Sequence, residues 1–514
     1  MNMAAFPILT TLIILPVLGA MVVPFLSRER TSQVKGWALL VSLANLVVAV
    51  GLLVGFQSGD AEMQFVEQAP WFPALGISYH LGVDGISVLL VVLTAFLTPI
   101  AILAAWREMG SRAKEYAVFL LLLEAGVVGA FVALDLVLFF LFWEAMLVPM
   151  YLMIGVCGGE RRVYAALKFF LYTAVGSLLM LVAIVWLAVL YQGQTGQYSF
   201  DLAQLSTVKP PAELAMWFFL AFALAFSIKV PVFPLHAWLP DAYTQSPTAV
   251  LVLATTLVKV GAYGFLRFGL SLFPEQMVAA APVFLALGVI GVVYGGLVAV
   301  VQKDVVRLVA YSSVAHMAFI VIGIFSLNHQ GISGATLQMV NHSLSTGGLF
   351  ILTAMVAERT RTTAISGLGG LASRWPVLAA LFTLVMFSSV GLPGLNGFVG
   401  EFLILLGAFQ SWPVVAVTAA SGVLLAAIYL VWMFQRTMHG ADCGAGSGAG
   451  DLSAREIATL LPLVVMIVWI GVFPSTFLSK IDSSVGVLVS HVDRATVVSS
   501  GSPSGSFQVI QPGR

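Results

Sequence analysis

Hydrophobic residues run through this chain in blocks of about 20, the length an α-helix needs to cross the apolar core of a bilayer, and the blocks recur from end to end. About fourteen are read: 4–26, 36–56, 84–106, 115–134, 136–157, 164–191, 213–233, 247–270, 277–300, 305–326, 332–357, 375–408 with a break, 412–436 and 456–478. The pattern predicts an all-α membrane protein. No basic residue precedes the first block while Arg28, Arg30 and Lys35 follow it, the reverse of a cleavable signal peptide. Pro231 and Pro234 close the 213–233 block, and Pro393, Gly394 and Gly397 loosen 375–408. Proline removes a backbone donor and clashes with the preceding turn, so both helices are expected to be interrupted. The glycine-rich stretch 444–450 fits neither GxGxxG nor GxxxxGK and reads as a flexible linker. After Ile481 the sequence turns to Ser, Gly and Pro and is expected to be a poorly ordered tail.

Composition agrees with a membrane protein: 60% of the 514 residues are hydrophobic and 9% charged. Net charge is zero and no basic cluster is long enough to suggest nucleic acid. Cys157 and Cys443 stand alone, outside any grouping that could hold iron, zinc or haem, so no cofactor or metal is expected in this chain. Basic residues gather in alternate loops, among them Arg107, Arg112, Arg161, Arg162, Lys303, Arg307, Arg359 and Arg436, with little beyond Lys209 opposite. The positive-inside rule makes that side cytoplasmic and sets both termini on the periplasmic side of a bacterial inner membrane.

Charge inside the apolar blocks alters the picture most. A lysine at the bilayer centre costs about 2.5 to 3.5 kcal/mol even on a lenient scale, so a buried one is expected to have a partner and a task. At membrane depth lie Glu124, Glu144, Lys168, Lys229, His236, Lys259, His316, His342 and Glu401. A Glu144–Lys229 pair would make the lysine's proton affinity depend on how close the glutamate lies, a switchable proton site; a fixed structural ion pair is the competing reading. His316 and His342 have hydroxyl or amide neighbours, which can hold water and pass protons. Lys168 lies about a turn and a half beyond Arg162, so it either snorkels to the cytoplasmic surface or relays protons inward, and Glu124 is equally open. His236, Trp238 and Asp241 follow the proline break and are expected to order the re-entering segment, Trp238 by packing.

An internal duplication is suggested by recurring offsets. Ala165–Leu171 (AALKFFL) and Ala335–Asn341 (ATLQMVN) are about 170 residues apart, as are Glu144 and His316, and Lys229 and Glu401. Two five-helix units result, 112–272 and 273–438, preceded by three helices in 1–111 and followed by a loop, a last helix and the tail in 439–514. An odd number of crossings inverts the second unit, and paired broken helices in inverted repeats are how many transporters build ion sites at mid-membrane.

Several stretches resemble one family: KVPVFPLHAWLPDAY from Lys229, AYSSVAHM ending at Met317, LPGLNGFVGEF ending at Phe402 and FWEAMLVPMY around Glu144. They are similar to the antiporter-like subunits of proton-pumping NADH:quinone oxidoreductase, respiratory complex I, over about residues 80–440. Glu401 at the terminal position and the absence of a long lateral helix resemble the chain M type, equivalent to mitochondrial subunit 4. The resemblance implies that Glu144 and Lys229 form an ion pair, that Lys259 is a central lysine, that His316 and His342 are a relay and that Glu401 is a terminal site. It implies proton translocation driven by electron transfer from NADH to quinone, with flavin and iron–sulfur clusters in partner subunits and L-type and N-type paralogues as membrane neighbours. The alternative within the superfamily is a cation/proton antiporter subunit. One departure is local: Val306 stands two residues after Asp304, where the family commonly has lysine, so no proton role is assigned to that loop.

Overall fold

A computed structural model of the chain describes residues 6–499 apart from 445 and 447. The chain opens with α1 (Ile8–Val22) and α2 (Thr31–Gly55), then a hairpin of β1 (Gln64–Phe72) and β2 (Ile77–Val83). Next come α3 (Ser87–Ala104), α4 (Ala113–Val132), α5 (Leu136–Ala145), α6 (Leu147–Cys157) and α7 (Arg162–Thr195). The short α8 (Leu202–Leu205) precedes α9 (Ala212–Lys229), α10 (Trp238–Gln245) and α11 (Thr248–Gly264), which runs through a π-helical turn, Phe265–Gly269, into α12 (Leu270–Leu272). Then follow α13 (Pro274–Val300), α14 (Val305–Phe325), α15 (His329–Thr360), α16 (Leu371–Arg374), α17 (Pro376–Val390) and α18 (Asn396–Ser411). Last are α19 (Pro413–Met438), α20 (Ala454–Val472) and α21 (Ser475–Ser499).

Twelve helical segments among the described residues are long and apolar enough to cross a membrane. The two expected spans outside that set, 213–233 and 375–408, are the ones with a break, here α9 then α10 and α17 then α18. Burial orders the helices by position. The span windows of α11, α14 and α15 are 94% or more buried and form the centre of the bundle, whereas those of α2, α19 and α20 are one-third buried and face outward. Side chains cap several starts: Asp135 accepts from Val137 and Leu138 at α5, Asp201 from Ala203 and Gln204 at α8, and Ser453 with Glu456 forms a capping box at α20.

Two features outside the spans differ from the expectation. The hairpin had no assigned element, because β1 carries Pro70 and its apolar positions do not alternate. Glu67 on β1 accepts the Leu9 and Thr10 amides at 2.7 and 3.0 Å, setting a carboxylate at the start of α1, where unpaired N–H groups favour negative charge. The second difference is the tail: α21 is a 25-residue helix, so the expectation of disorder after Ile481 is overturned for residues up to 499; residues 500–514 lie outside the described part. Ile481, Val485, Leu488, Val492 and Ala495 recur at helical spacing and are buried against the bundle, which is what folds the segment.

Candidate functional site

The first break follows from its prolines. α9 ends at Lys229, Pro231 cannot supply the next ladder donor, and the Ile228 carbonyl freed by the break accepts from Trp238 Nε1 at 2.8 Å. Trp238 is fully buried, as its packing role requires. Lys229 is fully buried too, and its Nζ has no hydrogen-bond partner among the described residues. The ammonium sits 4.5 Å from the centroid of the Trp143 ring. The expected direct pair with Glu144 is not formed within the 4.0 Å of an ion contact. Trp143, one residue before Glu144 on α5, presents its ring to the lysine, while Glu144 is half-buried with Oε1 unpaired, beside exposed Leu141 and Val148. A desolvated cation–π contact is worth about 2 kcal/mol, less than a buried charge costs, so the site is poised for a partner.

Close approach joins this break to the next lysine. A Cβ on Gly261 would meet Lys229 Cβ at 2.9 Å and the Phe226 carbonyl at 2.8 Å, so only glycine lets α9 lie this near α11, two residues beyond Lys259. Gly261→Ala is expected to destabilise the subunit by about 1 to 3 kcal/mol, the usual cost of overpacking, and to lower coupled turnover; thermal unfolding of the purified assembly and its quinone-reduction rate check this.

From Lys259 onward the groups touch. Lys259 Nζ contacts His342 Nδ1 at 2.7 Å and Met317 Sδ at 3.1 Å, and His342 Nε2 contacts the Ser313 hydroxyl at 3.0 Å. The His342 and His316 rings lie 5.9 Å apart between centroids, and His316 Nδ1 contacts Glu401 Oε1 at 2.7 Å. Gln338 Nε2 donates to the same Glu401 oxygen at 3.0 Å. All seven side chains are at least 96% buried. A cavity of about 10 Å³, the size of one water, lies among His316, His342, Gln338, Asn341, Ser345 and Glu401. Imidazoles that both accept and donate, spaced by one polar cavity, can hand a proton from an amine to a carboxylate without opening the bundle to solvent.

The second break places Glu401. α17 ends on Gly391 in the left-handed region (φ +86°), a common helix stop, and α18 restarts at Asn396. Asn341 Nδ2 donates to the Asn396 carbonyl at 2.7 Å and Asn396 Nδ2 to the Asn341 carbonyl at 3.2 Å, a reciprocal clamp that fixes the start of α18 on α15. Glu401 therefore sits one and a half turns into a short helix held from outside.

The other expected residues are placed apart from this line. Lys168 Nζ pairs with Asp241 Oδ2 at 2.6 Å, and Arg307 approaches Asp241 at 3.9 Å. His236 stacks on Phe233 and meets Tyr294, with ring centroids 5.6 and 5.1 Å away. Glu124 is fully buried and accepts from Asn45 at 2.8 Å on the α2 side of the bundle, away from the histidines. Sequence reasoning missed Gln338, Ser313 and Met317, neutral side chains that only their contacts identify. It also missed Asp84 and Arg267, a buried pair at 2.5 Å, although an arginine inside the apolar block 247–270 was a readable signal.

Comparison with known proteins is consistent along the chain. Residues 133–428 match the family model described as "NADH:quinone oxidoreductase/Mrp antiporter, TM", and residues 11–128 match "NADH-ubiquinone oxidoreductase chain 4, amino terminus". The chain is 43% identical over 511 residues to NADH-quinone oxidoreductase subunit M of Rhodobacter capsulatus, covering 95% of this chain and 98% of that one. It is 38% identical to NADH-ubiquinone oxidoreductase chain 4 of Marchantia polymorpha, covering 94% and 97%. Among solved structures it is similar to a chain of respiratory complex I from Thermus thermophilus with bound NADH, at 34% identity and a TM-score of 0.86 over 94% of this chain and 99% of that one. A chain of the Mrp complex from Dietzia sp. DQ12-45-1b, 22% identical with a TM-score of 0.82 over 97% of this chain and all of that one, shares the fold.

Proposed function

The chain belongs to the family of membrane subunits common to NADH:quinone oxidoreductases and Mrp antiporters, in its subunit M and chain 4 branch, and on that premise we propose that Lys229, Lys259, His342, His316 and Glu401 carry its protons. It is a multi-pass membrane subunit of a respiratory complex, and its function is proton translocation. The observation that carries the residue assignment is the buried contact series from Lys259 through His342 and His316 to Glu401. Electron transfer from NADH to quinone takes place in partner subunits, which hold the flavin and iron–sulfur clusters.

In this reading a proton enters from the cytoplasmic side beside the Lys168–Asp241 pair, accessory groups with His236, and reaches Lys229. Glu144, half-buried at the edge of the chain beside exposed apolar residues, lies where a neighbouring subunit would cover it. Movement there brings its carboxylate toward or away from Lys229 and sets whether the lysine keeps its proton. The proton then passes to Lys259 and along the histidines to Glu401. Glu124 stands outside this path, bonded to Asn45. The two breaks, at 229–238 and 390–396, each beside a charge, support inverted five-helix units over 112–272 and 273–438. The basic loops support a cytoplasmic face on that side and periplasmic termini, in a bacterial inner membrane, with L-type and N-type paralogues as neighbours.

Purification tests the reading. The chain is expected to co-isolate with flavin and iron–sulfur subunits, and NADH oxidation in the resulting proteoliposomes to acidify one side with or without sodium. Isolation with small membrane partners alone, and sodium-dependent proton exchange without NADH, would establish the cation/proton antiporter instead.

A further inference from the structure

A second polar region lies at the other end of α11, beneath the C-terminal helix. Tyr263 on α11 and Arg267 in the turn that continues it follow Lys259 at steps of four residues, about one helical turn each. Arg267 lies in the π-helical turn, where the ladder widens, a distortion found frequently at functional sites. Its Nε donates to the Tyr263 hydroxyl at 3.1 Å, and its guanidinium meets Asp84 Oδ1 at 2.5 Å, where Asp84 also accepts the Ile86 and Ser87 amides at the start of α3. Both members of the pair are at least 96% buried. The pair lines a cavity of about 310 Å³, large enough for several waters. Its charged and titratable lining is Asp84, Arg267, the His80–Asp201 pair at 2.5 Å, and His491 of α21. The α21 helix roofs it, fixed by the Gly85 amide donating to Ser484 Oγ at 2.9 Å.

We propose that this vestibule is a second, outward outlet from Lys259, branching from the histidine route to Glu401, and that the Asp84–Arg267 pair is its gate. The proposal rests on the reading that Lys259 carries protons. Its net step moves one proton from the Lys259 ammonium to the Asp84 carboxylate, past the Tyr263 hydroxyl, leaving a neutral amine and a neutral carboxyl. A neutral carboxyl no longer holds the guanidinium as an ion pair, so Arg267 is released. Asp84 then gives the proton to vestibule water, and the restored carboxylate recaptures Arg267. While the pair is closed, the guanidinium occupies the Asp84 carboxylate and holds it ionised, so a proton returning from the vestibule must first displace Arg267. Lining a cavity with room for several waters, eight residues along the helix from Lys259, the pair has the position of a gate; a pair serving only to cap α3 would need no cavity beside it.

Arg267→Gln in the assembled complex tests the gate. Proteoliposomes carrying it are expected to leak protons about tenfold faster under an imposed pH gradient than wild type, while Arg267→Lys, which keeps the charge, stays near wild type. The leak should vanish in the Arg267→Gln, Lys259→Met double variant. A leak that persists there bypasses Lys259 and overturns the port without touching the relay. Wild-type pumping by Lys259→Met alone would instead remove the relay reading. Should Arg267→Gln fail to assemble, Ser271→Cys decides, made with Cys157 and Cys443 replaced by serine. Ser271 lines the vestibule, so a membrane-impermeant thiol reagent added on the α21 side should label it in sealed vesicles and slow pumping. No labelling, or labelling without effect on pumping, overturns the proposal.

Discussion

Lys259→Met is expected to leave the complex assembled and to cut coupled quinone reduction by about 10²-fold, the lower end of what a positioned acid–base group contributes. Methionine fills a similar volume without a charge, and replacing a buried ion by an apolar side chain is often neutral or favourable for stability. What disappears is the group that meets His342 Nδ1 at 2.7 Å. Lys259→Arg separates charge from proton exchange. Arginine keeps the positive charge but does not deprotonate in proteins, so it should be nearly as inactive as methionine. Initial rates of NADH-driven quinone reduction, measured beside subunit content, check both variants. An arginine variant that pumps would make Lys259 a fixed electrostatic element.

Glu401 has the second large effect, and here stability and function part. Glu401→Leu removes the acceptor of two buried donors, His316 Nδ1 and Gln338 Nε2, whose contacts are 2.7 and 3.0 Å. A buried donor left unsatisfied costs about 1 to 3 kcal/mol, so the leucine variant should lose about 2 to 6 kcal/mol and assemble poorly. Glu401→Gln keeps an oxygen for the same donors and should fall within about 1 kcal/mol of wild type in stability, yet translocate as poorly as the lysine variants. Thermal unfolding of the purified assembly gives the first comparison and proton uptake in proteoliposomes the second.

The parts of this arrangement that sequence reveals are those with a single local cause. Prolines at 231 and 234 stop α9 whatever surrounds them, and a lysine or glutamate inside an apolar run is conspicuous wherever it points. Contacts between distant elements were readable only through family resemblance, and only in part. Lys259–His342 and His316–Glu401 are close, whereas Lys229 faces Trp143 because the ring preceding Glu144 occupies the space beside the ammonium. Gln338 was invisible because a neutral amide in a helix has many uses; its role depends on Glu401 lying opposite it, 63 positions later. α21 was hidden for a different reason. Its Ser and Gly content and the run that follows it suggest disorder, but Phe477, Ile481, Val485, Leu488 and Val492 recur every three or four residues, a period that could have been counted. The hairpin is held by anchors distant in sequence, such as the Ser78 amide donating to Asp135 at 3.0 Å, which local pattern does not carry.

The proton-to-electron ratio of a fully assembled Lys229→Ala complex, reconstituted in proteoliposomes and driven by NADH and quinone, tests most directly that the buried lysine at the first break feeds the relay. The relay predicts a ratio clearly below that of wild type measured in parallel. An unchanged ratio in a complex with its full set of subunits would contradict it.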